Sequence, residues 1–126
     1  MNTIFLADDD EEDHEIFTAA LREVDPSAIL FSFYTGVELL TYLNSTETKF
    51  PDFIFLDINM PGNQDLETFL TIKKTDRLKN LPLVLYSTSI SDGHREIATL
   101  HGVHKTVTKP VSFDKVKEAL SSILNP

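Results

Sequence analysis

The stretch Phe53 to Gly62, FIFLDINMPG, constrains this chain more than any other: four apolar residues run directly into Asp57, and Met60, Pro61 and Gly62 supply a turn. A run this short, with no alternation, reads as a strand covered on both faces, as in a parallel sheet. A strand with one wet face would alternate apolar with polar residues. Its last residue then emerges at the carboxyl edge of the sheet, where open α/β folds hold their ligands. Asp57 by itself is equally consistent with the opening of a turn, since Asp is common there. The other strand ends separate the two readings.

Taken in order, Thr3 to Ala7 predicts a first strand, followed without a break by Asp8, Asp9, Asp10, Glu11, Glu12 and Asp13. Ile16, Phe17, Ala20, Leu21 and Val24 recur at helical spacing. Asp10 to Asp13 are therefore assigned mainly to the first turn of a helix, where negative charge suits the dipole. Asp8 and Asp9 sit on the strand end itself, and their mutual repulsion calls for a cation or a lysine between them. Asp25-Pro26 ends the helix, Ala28 to Tyr34 predicts a second strand leaving through uncharged Thr35-Gly36, and Val37 to Leu43 a second helix. Phe53 to Asp57 is the third strand, and Leu66, Phe69, Leu70 and Ile72 mark a third helix. Leu83 to Tyr86 is a fourth strand ending in Ser87, Thr88 and Ser89; a helix over Asp92 to Leu100 is stopped by Gly102. Val103 to Thr108 is the fifth strand, ending at Lys109-Pro110, and Phe113, Val116, Leu120 and Ile123 form one face of a last helix. Five strands alternating with five helices predict a doubly wound α/β domain with a parallel sheet. With no repeat, low-complexity tract or linker, residues 1–126 are expected to form one domain.

Composition narrows the function classes. The chain holds 20 acidic and 11 basic side chains, a formal net charge of −9, which leaves no basic face for direct nucleic-acid binding and favours a cationic partner or a bound metal. Cysteine is absent, so disulfides and thiolate metal sites are excluded, in keeping with a reducing compartment. No apolar stretch approaches the roughly 20 residues a membrane span needs.

Strands one, three, four and five end respectively in Asp8 with Asp9, Asp57, Ser87 and Lys109, whereas strand two ends in nothing chemical. If strand two is the outer edge strand, the four chemical ends are neighbours on one edge of the sheet. Two carboxylates about 5 Å apart repel by roughly 3 kcal/mol at an effective dielectric near 20, so three in one pocket invite a hard divalent cation with oxygen ligands. Mg2+ suits such a site because it needs few protein ligands and keeps positions for water or phosphoryl oxygens.

Asp8-Asp9 after an apolar strand, Asp57 in LDINMP, Ser87 after LVLY and Lys109 in TKP, in this order and spacing, resemble the receiver domain of two-component response regulators over the whole chain. The resemblance implies a flavodoxin-like fold with strand order 2-1-3-4-5. It implies that Asp57 accepts a phosphoryl group from a phosphohistidine on a sensor histidine kinase or phosphotransfer protein. It further implies Mg2+ held by Asp9, Asp57 and the backbone carbonyl of Asn59, with Asp8 acting through water. Lys109 would neutralise phosphoryl charge, and Ser87 would hydrogen-bond a phosphoryl oxygen and report it to the far face. A cis Lys109–Pro110 bond, a cytoplasmic location and an output face of helix four, strand five and helix five, including His104, Thr106 and Lys117, complete the expectation. No output domain follows the last helix in this sequence. The expectation is therefore a stand-alone regulator that passes its signal to a partner or relay, with a piece of a longer protein as the other reading.

Thr88 competes with Ser87 for the hydroxyl role, and Ser87 is preferred because it directly follows the apolar run. His14, His94, His101 and His104 read as solvated. The chain departs from the family at Gln64 and Asp65, where an Asp-Gly pair is common, and at Thr106, where an aromatic switch residue is usual. An aspartate-nucleophile phosphatase is the enzyme alternative. Such enzymes carry an acid two residues after the nucleophile, and Asn59 stands there instead, so turnover of a separate substrate is not expected. A binding module working without phosphate is the remaining alternative, disfavoured because the expected site residues are all present.

Overall fold

The computed structural model describes residues 2–45, 49–60 and 66–126. The turn expected at Pro61-Gly62 and the departures at Gln64 and Asp65 lie outside them. Strands and helices alternate in the order β1 (Thr3–Ala7), α1 (Glu11–Val24), β2 (Ile29–Phe33), α2 (Gly36–Leu43), β3 (Phe53–Leu56), α3 (Glu67–Lys74), β4 (Leu83–Ser87), α4 (Asp92–Leu100), β5 (Lys105–Thr108) and α5 (Phe113–Leu124). All pairings are parallel and the order is β2-β1-β3-β4-β5, so β2 is the outer strand that the placement of the chemical ends required.

Helix starts follow from local chemistry. Asp10 Oδ1 accepts from the N–H groups of Glu12 and Asp13 at 2.8 and 3.4 Å, and Glu11, Glu12 and Asp13 occupy the positive end of α1. Ser91 and Ser112 cap α4 and α5 in the same manner through the N–H groups of His94 and Lys115. Gly102, at φ 78°, terminates α4 in the left-handed region.

Alternate residues of the inner strands serve opposite faces, as a doubly covered sheet requires. Ile54 and Leu56 join Phe5, Leu39, Phe69, Ile72, Leu83 and Leu85 on the side of α2, α3 and α4. Phe55 joins Ile4, Leu6, Phe17, Leu21, Val84, Leu120 and Ile123 on the side of α1 and α5. β4 is buried at every residue, whereas most of β2 is exposed. At Gly36 a side-chain carbon would collide with the Thr68 hydroxyl, so glycine is what lets α2 approach α3 there.

The sheet ladder continues one residue past the strands on the carboxyl edge. The N–H of Asp8 donates to Phe33 O, that of Asp57 to Ala7 O, and that of Lys109 to Ser87 O, at 3.0, 2.9 and 2.8 Å. The backbones that carry the chemistry are thereby fixed by the neighbouring strand and not by the loops that follow.

Candidate functional site

Those three backbones converge on one buried ion cluster. Lys109 Nζ lies 2.6 Å from Asp8 Oδ2, 2.7 Å from Asp13 Oδ2 and 2.9 Å from Asp57 Oδ2. Asp8 and Ser87 are fully buried and Asp57 is 5% exposed. Burial pushes the Asp8 carboxyl above its usual range, and the hydrogen bonds from Lys109 and from the Asp10 N–H offset only part of that. Burial acts to lower Lys109, but hydrogen bonds to Asp13, Asp8 and Asp57 outweigh it and hold the ammonium well above its ordinary value. The charged head sits 5.9 Å from the Tyr86 ring, whose hydroxyl is pushed up to about 12, mainly by burial.

Asp57 faces two ways. Its Oδ2 meets Lys109, while its Oδ1 accepts from the Ser87 hydroxyl at 2.6 Å and from the Asn59 N–H at 2.8 Å. The Asn59 side-chain amide donates to Ser87 Oγ at 2.7 Å and to Ser89 O at 3.2 Å, fastening the loop after β3 to the loop after β4. Ser87, not Thr88, therefore supplies the hydroxyl that reaches the carboxylate.

Asp8, Asp9 and Asp57 each offer a carboxylate oxygen, and the three lie within 4.8 Å of one another. Asp9 is exposed, so the group opens to solvent on one side. An all-oxygen donor set of this size with an open side fits a hard divalent cation that keeps several waters.

Four expectations are corrected. Asp13, assigned mainly to the helix dipole, bonds Lys109 directly. Helical side chains lean toward the amino end, so a residue in the first turn of α1 overhangs the strand end, and that signal was available in the sequence. His14 is not solvated: it is 3% exposed, and its spacing to Phe17 and Leu21 places it on the buried stripe. The Lys109–Pro110 bond is trans, the form ordinarily favoured before proline, and Lys109 reaches its partners from it. Lys117 turns toward α1 and pairs with Glu23 at 3.2 Å. At the usual aromatic position, Thr106 is half-buried and accepts a 2.8 Å hydrogen bond from Arg95 Nη1 on α4. His104 lies against the Phe53 ring, with centroids 5.4 Å apart.

The chain matches the model of the response regulator receiver domain over residues 4–121. It is 31% identical over 91 residues to a probable methanogenesis regulatory protein, FilR2, of Methanothrix harundinacea, covering 70% of this chain and 59% of that protein. It is 28% identical over 74 residues to the polar-differentiation response regulator DivK of Brucella anthropi, covering 59% of this chain and 60% of that one. The chain thus spans less than two thirds of the length of these curated relatives. Among solved structures it resembles the phosphorylated cyanobacterial phytochrome response regulator RcpA, with a TM-score of 0.86, 26% identity and coverage of 97% of this chain and 90% of that one. Among the described residues no helix is long and apolar enough to cross a membrane. Receiver domains are signalling modules that work with histidine kinases or phosphotransfer proteins, and this chain, with its acidic pocket of Asp8, Asp9 and Asp57, belongs to the response regulator receiver family.

Proposed function

We propose that residues 1–126 act as one phosphorylatable receiver in the cytoplasm, taking a phosphoryl group on Asp57 from the phosphohistidine of a sensor kinase or phosphotransfer protein. The observation that carries this reading is the placement of Asp57: one carboxylate oxygen faces a lysine and the other a hydroxyl, at the open edge of the sheet. The similarity to a regulator described as phosphorylated supports it.

An Asp57 oxygen attacks phosphorus, a P–O bond forms as the P–N bond of the donor breaks, and the departing imidazole nitrogen keeps the bonding pair and takes up a proton. Lys109 answers the added charge from its place beside Oδ2. The Ser87 hydroxyl, already on Oδ1, transfers its hydrogen bond to a phosphoryl oxygen, which strains the Asn59 link to the loop after β4. Asp9, Asp57 and the Asn59 carbonyl, with Asp8 behind them through water, would hold Mg2+, which when bound neutralises phosphoryl oxygens. The outgoing signal is assigned to the face of α4, β5 and α5, where Arg95 joins α4 to Thr106 and His104 lies at the start of β5.

Intact-protein mass after incubation with Mg2+ and acetyl phosphate tests the reading. A gain of one phosphoryl group in the wild type and none in Asp57→Asn is expected. A wild type that gains nothing while binding Mg2+ overturns it for small donors and favours a module that signals by binding alone.

A further inference from the structure

His14 is a buried polar group that the phosphoacceptor chemistry does not use. Its Nε2 lies 2.7 Å from the backbone carbonyl oxygen of Asp8. A carbonyl can only accept, so the proton sits on Nε2 and the ring donates. Nδ1 is buried with no hydrogen-bond partner among the described residues, so the ring's polar contact is spent on Asp8. On its flank the ring stacks on Tyr34, with centroids 4.2 Å apart and planes at 29°. Its own carbonyl accepts from Thr18 Oγ1 at 2.7 Å, within α1.

The position of that carbonyl matters because it belongs to the peptide joining Asp8 to Asp9. Rotation about the Asp8 Cα–C bond, which carries this carbonyl, would swing Asp9 away from Asp8, whose own carboxylate is held on Lys109. One oxygen from each of the three carboxylates lies within 4.8 Å of the others, and with Asp8 and Asp57 tied to Lys109 their repulsion acts to swing the exposed Asp9 away. The Asp8 N–H on Phe33 O and the Asp10 N–H on Asp8 Oδ1 hold the two sides of this turn, and the His14 ring holds its carbonyl. We infer that His14 is a positioning residue for the acidic pocket: its Nε2–H fixes the Asp8–Asp9 peptide so that both carboxylates face a shared cation.

This inference rests on the metal-assisted phosphoacceptor reading, and two variants of the full chain separate it from simple packing. His14→Phe keeps a ring against Tyr34 but has no donor, and His14→Gln keeps an N–H donor but no ring. Mg2+ affinity by calorimetry is expected to fall about tenfold in His14→Phe and to stay within about twofold of wild type in His14→Gln, the scale of one hydrogen bond. In the metal-free protein the Asp9 amide resonance should move in His14→Phe and stay near its wild-type position in His14→Gln. Affinity that follows the ring, falls equally in both variants or changes in neither overturns the role of His14. A wild type that neither binds Mg2+ nor gains a phosphoryl group removes the parent reading instead. A wild type that does both, beside an unchanged His14→Phe, removes only the positioning role.

Discussion

On one side of the sheet α1 and α5 run 14 and 12 residues, each opens on a side-chain cap, and together they bury Phe17, Ala20, Leu21, Val116, Leu120 and Ile123. On the other side α2, α3 and α4 run 8, 8 and 9 residues. There α3 follows Leu66 at φ 65° with no side-chain cap, and α4 buries only Ala98. The charged groups hang from the first side: Asp8, Asp9 and Asp13 enter α1 and Lys109 precedes α5. The hydroxyl and its link, Ser87 and Asn59, lead toward α4. Asp57 stands between, with Oδ2 on the charged side and Oδ1 on the hydroxyl side. Groups that must hold repelling charges are thus anchored by well-packed helices. Under the proposed function, the hydroxyl that would move on phosphorylation of Asp57 is linked through Asn59 toward the lightly held α4.

The largest expected effect tests that contrast in the core. Phe17→Ala should destabilise by about 4 kcal/mol in urea titrations, because a fully buried ring is lost between α1 and the sheet. Ala98→Gly, which removes the one buried side chain of α4, should cost about 1 kcal/mol. Equal losses would break the comparison.

Lys109→Met comes next. It leaves the Asp8, Asp13 and Asp57 carboxylates facing one another in a mostly buried pocket, and a loss of about 3 kcal/mol in EDTA is expected. Added Mg2+ should recover part of it, which a purely structural lysine would not show. The pH dependence has a definite sign. The folded value of Lys109 lies above the ordinary 10.5, so its contribution is complete below about 10.5 and is lost as pH rises through the folded value. The gap between wild type and Lys109→Met should therefore close only in strong alkali.

Asp8→Asn should act in the opposite direction. The Asp8 carboxyl is raised above 3.8 in the folded chain, so its charged form opposes folding above the folded value, and the penalty disappears as pH falls through that value toward 3.8. The variant should have a higher urea midpoint than wild type at pH 7, a gain that shrinks on acidification, together with weaker Mg2+ binding. A lower midpoint at pH 7 would show that the ion pair with Lys109 outweighs burial.

These groups differed in how plainly the sequence announced them. Asp57 and Ser87 were legible because each ends an apolar run, and in a parallel sheet an apolar run that stops in a polar residue fixes that residue at the carboxyl edge. Lys109 follows the largely polar β5 and was legible from its place after the fifth strand, in TKP. The two-sided packing of Phe53 to Leu56 was legible for the same reason. Asp13 and His14 were harder, because both lie in an acidic helix start where dipole and solvent explain such residues equally well. Only their position on the stripe shared with Phe17 marks them as inward-facing. The side-chain bridge of Asn59 to Ser87 and Ser89 had no sequence signal, since it joins loops 28 and 30 residues apart whose spacing no periodicity records.

The smallest effect bears on how α4 is held. Where the family usually carries an aromatic residue on β5, Thr106 accepts from Arg95, an exposed contact 2.8 Å long that ties α4 to the sheet edge. An exposed hydrogen bond of this kind contributes under about 1 kcal/mol, so Arg95→Ala should barely move the global urea midpoint. Its consequence should be local. With Ala98 as its one buried side chain, α4 has little else to restrain it, so amide exchange across Asp92 to Leu100 should quicken severalfold while α1 and α5 stay at the wild-type rate. Thr106→Val removes the acceptor and should reproduce the change, and the double variant should add little to either one, because both remove the same bond. If exchange in α1 and α5 rose equally, the two sides of the sheet would open as one unit, and the division between a charge-holding side and a responsive side would fail.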